Sequence, residues 1–351
     1  MTKYYTRACN FYYGKLSTKL VKNKKTFPLC GNKEISFDKI EIFSKNKKKV
    51  LSKIVDVKKI SLLPKLIKTK VFLDIKKITS KRKLFNKKKH VLMGVLNMTP
   101  DSFSDGGKFN TNKKALMRVK EMIDSGADIV DIGGESTRPK SKIIPSKVEW
   151  KRVENIIKKF KKNFPKTLLS IDTRKSLVMK NSIKYKTDII NDVSCFKFDK
   201  NSSKIIKNKH LWKIIHHMKG TPQTMQINPK YHHVLLDIYD FFEKEINKMK
   251  KDKYPKIILD PGIGFGKNLK HNLMILNKIS IFHSLGFPIL IGTSRKRFIN
   301  QISKKFDTKE RLGGTLSSVL FLLSQGVQIF RIHNVKEIKQ GILVFEILLN
   351  K

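Results

Sequence analysis

Short apolar runs rich in β-branched residues recur eight times between residues 90 and 351, and amphipathic segments separate them. The runs are Val91–Leu96, Ile129–Ile132, Leu168–Ile171, Ile189–Ile190, Trp212–Ile215, Ile257–Leu259, Ile289–Ile291 and Ile329–Ile332. The intervening segments space their apolar residues as helices do, which predicts helices at Lys113–Ser125, Ser146–Asn163, His233–Asp252, His271–Leu285 and Thr308–Gln325. Gly126 and Gly326 stand where helix C-caps belong. This alternation limits the possible folds more than any other feature of the chain.

Strand–helix alternation predicts a parallel sheet, because the helices supply the crossover connections. Eight such units in roughly 260 residues match a closed (β/α)8 barrel, for which about 250 residues is typical. A doubly wound open sheet is the alternative, although it usually has fewer strands. The predicted fold class is therefore α/β, with a barrel over residues 90–351.

Polar residues lie within or directly after every one of the eight runs. These residues are Asn97, Asp131 with the segment Gly133 to Pro139, Asp172, Asn191 with Asp192, His216 with His217, Asp260, Ser294 to Lys296, and Arg331 with His333. Barrels of this kind build their active sites at the C-terminal ends of the strands. Because an unpaired polar group in a dry barrel mouth costs free energy, eight such strand ends predict a binding or catalytic site.

The net charge of +48, from 76 Lys and Arg against 28 Asp and Glu, first suggests a polyanion partner. The excess is nearly all lysine and extends along the whole chain, which favours a compositional bias over a selected nucleic-acid surface. The 40% hydrophobic content argues against wholesale disorder. No run of about 18 apolar residues occurs, so no transmembrane helix is expected. Cys9, Cys30 and Cys195 are too few for a disulfide scaffold and suit a reducing compartment.

Residues 1–89 form the most basic part of the chain, with 27 Lys and Arg against 5 Asp and Glu. The segment Ile35–Phe43 alternates apolar and polar residues, as a half-buried strand does. We expect an irregular tail followed by a few short strands that pack on the barrel. Residues 1–24 lack the apolar core of a secretory signal, although an organellar transit peptide stays open. A separate RNA-binding domain is the more specific alternative. In that case the bases of the RNA would stack on Tyr4, Tyr5, Tyr12 and Tyr13.

Seven stretches of the barrel resemble, in family order, the motifs of the dihydropteroate synthases. They are Gly94–Gly107, Asp131–Pro139, Ile171–Thr173, Ile190–Asp192, Leu259–Lys267, Ser294–Lys296 and Arg331–His333. The resemblance covers about residues 90–349. The opening residues, with Leu29 to Phe43, also resemble a short extension of some bacterial members.

The resemblance implies a transferase of folate biosynthesis that joins 6-hydroxymethyl-7,8-dihydropterin diphosphate to 4-aminobenzoate and releases diphosphate. It further implies Mg²⁺ as cofactor, inhibition by sulfonamides and a homodimer in the bacterial cytoplasm. The expected partners are these small substrates, while neither a membrane nor a nucleic acid is expected.

Residue by residue, the resemblance implies a pterin site of Asp172, Asn191, Asp260, Lys296 and Phe265. The diphosphate site would contain Asn97, which would also bind the metal, with Thr137, Arg138, Arg331 and His333. Aminobenzoate would lie beside Phe103, Thr137, Pro139 and Ser294. The catalytic residues implied are Asp172, Asp260, Lys296 and Arg331.

Three residues depart from the pattern common in the family. His216 stands where many members have Met, and Arg174 and Lys140 stand where smaller or neutral residues are usual. We expect the two cations to add positive charge near an anionic substrate. A methyltetrahydrofolate-dependent methyltransferase would share the pterin contacts, but it would not need the segments Thr99–Gly107 and Glu135–Pro139. A degenerate barrel that binds RNA is the non-enzymatic alternative.

Overall fold

The computed structural model describes residues 2–47, 49–82, 84–85, 89–99, 108–136, 141–205, 207, 210–251, 256–304, 307 and 310–350. The strands among them are β1 (Lys3–Tyr13), β2 (Phe27–Leu29), β3 (Asn32–Lys45), β4 (Val50–Asp56), β5 (Val91–Asn97), β6 (Ile129–Gly133), β7 (Leu168–Asp172), β8 (Ile189–Asp192), β9 (Trp212–His216), β10 (Ile257–Asp260), β11 (Leu290–Ile291) and β12 (Ile329–Ile332). The α-helices are α1 (Gly14–Lys22), α2 (Lys65–Thr79), α3 (Lys108–Asp124), α4 (Ser146–Asn163), α5 (Ser176–Ile183), α6 (Ser202–Ile205), α7 (Val234–Lys251), α8 (Leu269–Asn277), α9 (Arg297–Ser303), α10 (Leu312–Ser324) and α11 (Val335–Asn350). Two 3₁₀ helices cover Val57–Leu62 and Ile279–Leu285.

Strands β5 to β12 form one parallel sheet in the order β10-β9-β8-β7-β6-β5-β12-β11. A parallel bridge between Leu259 and Ile289 joins the two ends of that order. The sheet therefore closes on itself, which confirms the predicted barrel and excludes the doubly wound alternative. All eight predicted strands are present, and most begin at the predicted residue.

The lower interior of the barrel is a layer of apolar side chains from seven of the eight strands, and Leu168 of β7 packs against it. This layer contains Val91, Met93, Ile129, Ile189, Ile214, Ile258, Leu290 and Ile329. Because side chains alternate between the two faces of a strand, Asp131 faces the same interior as Ile129. The first polar side chains of the interior therefore lie one layer closer to the C-terminal ends of the strands than this apolar layer.

The helices follow the predicted periodicity with one exception. Helix α4 has the predicted bounds, and Gly126 and Gly326 adopt the left-handed backbone that helix C-caps require, with φ of 101° and 78°. The predicted single helix His271–Leu285 is wrong, because α8 ends at Asn277 and a 3₁₀ helix follows it. All seven residues of that 3₁₀ helix are buried, so the segment has no solvent face. None of the described helices has the length and hydropathy needed to cross a bilayer.

The first residues of the chain form a long strand where an irregular tail was expected. Strand β1 pairs antiparallel with β3 from Lys3 opposite Lys45 to Tyr13 opposite Ile35. The partner strand lies about thirty residues later in sequence, which explains why local pattern did not reveal β1. In the described part of the chain, β4 pairs only with β3 and leaves an open edge with exposed Leu51 and Ile54.

Residues 65–79 form helix α2, where only short strands were expected. Pro64 occupies the N-cap position of α2, so it marks a helix start and not an interruption. Val71, Ile75 and Ile78 of α2 pack on Leu29 and Phe37 in a small core of their own. We call residues 2–82 the extension, a small sheet covered by this helix.

The extension packs against the outer face of the barrel at α7 and the second 3₁₀ helix. The Tyr5 ring contacts the Tyr239 ring edge-on at 5.1 Å, and the Tyr5 hydroxyl donates to Asp240 at 2.9 Å. Lys3 and Lys45 also form ion pairs with Asp240. Tyr5 is therefore buried in this contact and is not free to stack on a nucleic-acid base.

Candidate active site

A shared guanidinium connects two carboxylates at the C-terminal ends of the strands. Nε of Arg331, on β12, donates to Oδ2 of Asp131 at 2.7 Å. The NH2 nitrogen of Arg331 donates to Oδ2 of Asp172, at the end of β7, at 2.8 Å. Asp131 lies in the middle of β6 and Asp172 at the end of β7, and both meet the Arg331 guanidinium inside the barrel. Arg331 is thus paired, as expected for a charge on a buried strand.

Asp131 is a site residue that the sequence reasoning placed on a strand but did not include in the site. It is fully buried and accepts from Ser170 Oγ at 2.6 Å and from Asn191 Nδ2 at 3.1 Å, besides Arg331. Asn191 Oδ1 is buried and has no partner among the described residues. Asp131 therefore orients Asn191 so that one amide oxygen stays available. The signal in the sequence was a lone carboxylate in the middle of an apolar strand.

A second group of residues surrounds Asp260 at the end of β10. Oδ1 of Asp260 accepts from the Gly262 amide at 2.8 Å, inside a tight turn where Gly262 has φ of 65°. The Nζ of Lys296 lies 4.3 Å from the centre of the Phe265 ring. The predicted residues Asp260, Lys296 and Phe265 thus lie in one cluster, and Asp260 keeps its other oxygen for a ligand.

Burial changes the acid–base properties of these groups. It raises the pKa of Asp172 to about 7, with Arg331 opposing the shift and the nearby Asp131 adding to it. Burial likewise raises the pKa of Asp260 to about 6, against the Gly262 amide and Lys296. Burial and Arg331 lower the pKa of Lys296 to about 8, while Asp260 and Asp172 act in the opposite direction. Such shifts concentrate at functional sites.

His216 fills the space beneath this second group. Its Nε2 lies 3.8 Å from Oδ2 of Asp260, and its ring meets the Phe265 ring edge-on with centres 4.6 Å apart. Burial together with Lys267 and Lys296 lowers the pKa of His216 well below its usual value. The ring is therefore neutral and adds no charge to the site.

His333 and Ser294 join the ends of two neighbouring strands. Nδ1 of His333 lies 3.0 Å from Oγ of Ser294, and the His333 amide donates to the same oxygen at 3.2 Å. Asn97 ends β5 and is half-buried at the same edge of the barrel. These three predicted residues thus follow β11, β12 and β5, which are adjacent strands.

A buried ion-pair network joins the residues that follow β6 and β7 to helix α4. Arg174 donates to Glu135 at 2.9 Å, and Lys175 bridges Glu135 and Glu149 at 2.8 and 2.6 Å. Arg174 also lies over the Phe198 ring at 4.1 Å. The expectation that Arg174 adds free positive charge near the substrate is wrong, because Glu135 neutralises it. Instead, Arg174 links the loops that follow β6, β7 and β8.

Several predicted residues lie outside the described part of the chain. They are Phe103, Thr137, Arg138 and Pro139, together with Lys140 and most of the segment Thr99–Gly107. In the described residues, no group of three or more His, Cys, Asp or Glu side chains forms a metal-binding cluster.

Comparisons with known proteins agree with this geometry. The model of the family described as pterin binding enzyme matches residues 93–333. A dihydropteroate synthase of Bacillus subtilis is 38% identical over 265 residues, which is 76% of this chain and 90% of that protein. One of Escherichia coli is 37% identical over 74% of this chain and 92% of its own length.

Solved structures agree as well. The Yersinia pestis dihydropteroate synthase in a sulfonamide complex has 35% identity and a TM-score of 0.69, with coverage of 74% of this chain and 94% of that chain. The Clostridium difficile enzyme, solved in the presence of pteroic acid, has 37% identity and a TM-score of 0.70, with coverage of 76% and 100%. The family model leaves the extension unmatched. From the strand-end chemistry and these matches together, the chain belongs to the dihydropteroate synthase family of pterin-binding enzymes.

Proposed function

We propose that this chain condenses 6-hydroxymethyl-7,8-dihydropterin diphosphate with 4-aminobenzoate to give 7,8-dihydropteroate and diphosphate. The observation that carries the proposal is the convergence of Asp260, Lys296 and the pair Asp172–Arg331 at the C-terminal ends of the barrel strands. A pocket with two buried carboxylates and two cations matches a substrate that combines a donor-rich ring with an anionic leaving group.

The pterin edge presents an amino group and a ring N–H side by side. A single carboxylate accepts both, and Asp260 is the candidate because the Gly262 amide holds only one of its oxygens. The free amide oxygen of Asn191 accepts from the ring. Lys296 donates to ring acceptors, and Phe265 beside it covers the ring.

The reaction breaks the bond between the pterin methylene carbon and the diphosphate oxygen, and the electron pair leaves with the diphosphate. A methylene cation conjugated to the pterin remains, and Asp172 stabilises it through its negative charge. The nitrogen of aminobenzoate then bonds to the methylene carbon and loses a proton. Arg331, His333, Asn97, Thr137 and Arg138 bind the departing diphosphate, with Arg331 exchanging part of its contact with Asp131 and Asp172 for phosphate oxygens.

Mg²⁺ fits a site built partly from substrate. Mg²⁺ usually takes one or two protein oxygens and completes its shell with water and substrate phosphates. Asn97 supplies one amide oxygen at the barrel mouth, and the described residues contain no acidic cluster that would hold the ion alone. When bound, the ion neutralises charge on the diphosphate.

Aminobenzoate binds beside Ser294, with Phe103, Thr137 and Pro139 completing its pocket. Sulfonamides compete for the same place, because they present a similar ring and an anionic group. The His333 side chain holds Ser294 by a hydrogen bond, which orients it toward the mouth.

The test is purified full-length chain with pterin diphosphate, Mg²⁺ and 4-aminobenzoate. We expect diphosphate release coupled one-to-one to dihydropteroate, with both inhibited by a sulfonamide. No diphosphate release, together with methyl transfer from methyltetrahydrofolate, would instead favour the methyltransferase alternative.

A homodimer is proposed through the outer face of α10 and α11. Phe321, Val344, Ile347 and Leu348 lie there and are 49–65% exposed. Large exposed apolar patches commonly mark interfaces, and symmetric dimers are the commonest oligomers. Light scattering should give twice the chain mass, and Ile347→Glu should give the monomer. Leu66→Glu, which introduces the same change on the exposed face of α2, is the matched control and should stay dimeric.

Two further proposals concern organisation. Residues 1–89 form a basic extension that packs on the catalytic barrel of residues 90–351; part of its apolar side chains form a small core of their own, while Tyr5 and Phe43 join the core of the barrel. The protein works in the cytoplasm, for which its three free cysteines are suited.

A further inference from the structure

A cavity of about 240 Å³ lies between the extension and the barrel, at the N-terminal ends of the strands. His90 and Gln328 line it and directly precede β5 and β12. The candidate active site lies at the C-terminal ends, so the cavity is at the opposite end of the barrel. The family match begins at residue 93, so the side of the cavity that the extension forms, from Gly14 to Arg82, lies outside the matched residues.

The cavity combines apolar walls with an imbalance of charge. Leu29, Ile35, Val327, Phe345 and Leu349 form apolar parts of the lining. An engineered apolar cavity of about 150 Å³ holds benzene, so this one has room for an aromatic ring and a small charged group.

Arg82 is the buried cation of this lining, and it has no counter-charge among the described residues. It is 7% exposed, and its NH1 and NH2 groups donate only to the carbonyl oxygens of Lys77, Ser80 and His283, each at 2.8 Å. Its Nε is buried without a partner among the described residues, and no described carboxylate forms an ion pair with it. The carbonyls at the end of α2 offset part of the charge, but a buried cation normally requires an anion.

The other ionisable groups of the lining do not supply that anion. Glu34 pairs with Lys89, and Glu346 lies 3.4 Å from His90. Burial raises the pKa of Cys30, whose Sγ lies 3.3 Å from Nδ1 of His283, so the thiol stays neutral. Burial lowers the pKa of His283 to about 3, so that ring is neutral as well.

We propose that this cavity binds a small molecule with an apolar or aromatic body and one carboxylate or phosphate group, and that Arg82 binds the anionic group. The anionic group lies beside the guanidinium of Arg82 and gives it the missing counter-charge. The apolar body packs on Val327, Phe345 and Leu349. Because the ligand contacts both the extension and the barrel, it also stabilises their association.

The test uses the full-length chain with its active site saturated by 7,8-dihydropteroate, and benzoate and phenyl phosphate as probes in calorimetric titrations. We expect saturable binding of at least one probe at one site per chain, and the tighter probe identifies the anionic group. Inorganic phosphate and benzyl alcohol, which carry only the charge or only the ring, should bind at least about tenfold more weakly.

Two variants locate the site. Arg82→Gln removes the charge, and Leu349→Trp fills the cavity while keeping Arg82, so the second remains informative if the first unfolds. Each should weaken the tighter probe by at least about tenfold, whereas Lys53→Gln, on the exposed strand β4, should leave the affinity unchanged. Binding that is unaltered in both cavity variants, or the absence of saturable binding by either probe, would overturn the proposal. Since both cavity variants lie at the opposite end of the barrel from the candidate active site, their effect on the probe does not depend on the proposed reaction.

Discussion

Asp260 has one oxygen fixed by the Gly262 amide, its other oxygen lies 3.8 Å from Nε2 of His216, and the charge of Lys296 acts on the carboxylate. Asp260→Asn should lower kcat/KM by at least about 100-fold, because hydrogen bonds to a charged group contribute about 1.5–3 kcal/mol each and the ring donates two. Lys296→Ala should have a comparable effect, and circular dichroism should show both variants folded. Asp124→Asn, a change of an exposed carboxylate at the end of α3, is the control. Near-normal turnover in either site variant would contradict the assigned pterin site.

The pH dependence of kcat/KM follows from the same groups. Asp260 and Asp172 act as carboxylates, so activity should decline as pH falls through about 7 and then about 6. Lys296 acts as a donor cation, so activity should also decline as pH rises through about 8. A bell-shaped profile with its maximum between 7 and 8 is therefore expected. In Lys296→Arg the alkaline limb should disappear from whatever rate remains, because Arg stays charged.

His216 is the residue that most distinguishes this pterin pocket from the family pattern. His216→Met keeps the bulk beneath Asp260 and Phe265 but removes the polar edge 3.8 Å from the carboxylate. We expect KM for pterin diphosphate to rise about three- to tenfold, as befits a contact of roughly 1 kcal/mol, with KM for aminobenzoate unchanged. His232→Met, on the surface, is the matched control. A rise in both KM values would show a general distortion instead.

The turn between β10 and α8 is the element that most depends on backbone geometry. A Cβ on Gly262 would lie 2.1 Å from the His217 carbonyl oxygen, and the residue has φ of 65°. Gly262→Ala should therefore destabilise the protein by several kcal/mol or prevent its folding. Gly313→Ala in α10, where an added Cβ meets nothing within 4 Å, should be neutral or stabilising by up to about 1 kcal/mol. Urea denaturation of the two variants makes the comparison.

Among the secondary-structure elements, sequence patterns predicted those of the barrel well and those of the extension poorly. Strands β5 to β12 are short apolar runs flanked by helices, and such runs can be recognised from the local sequence without knowing which strands pair. Strand β1 has no clean alternation and depends on pairing with β3, while Pro64 starts α2 where it suggested a break. The site was predictable where polar residues end strands. Asp131 was not, because its role depends on Arg331, two hundred residues away.

At the scale of the whole molecule, Tyr5 connects the extension to the barrel. Tyr5→Phe keeps the ring on Tyr239 but removes the hydrogen bond to Asp240, and should lower the free energy of unfolding by about 1–3 kcal/mol. Tyr5→Ala also loses the buried ring and should cost about 3–5 kcal/mol. Denaturation curves measure both values. Equal effects of the two variants would show that the ring packing contributes little.

The open edge of strand β4 affects how readily copies of the protein aggregate. Its free edge exposes Leu51 and Ile54, and such an edge is a template for strand addition and aggregation. Lys53 on the strand and the lysines that flank it repel an identical edge on another copy. This repulsion is screened within about 3 Å in 1 M salt, against about 10 Å in 0.1 M. The lysines therefore protect this edge against strand pairing between copies of the protein. We expect aggregation through the β4 edge to be slowest at low ionic strength.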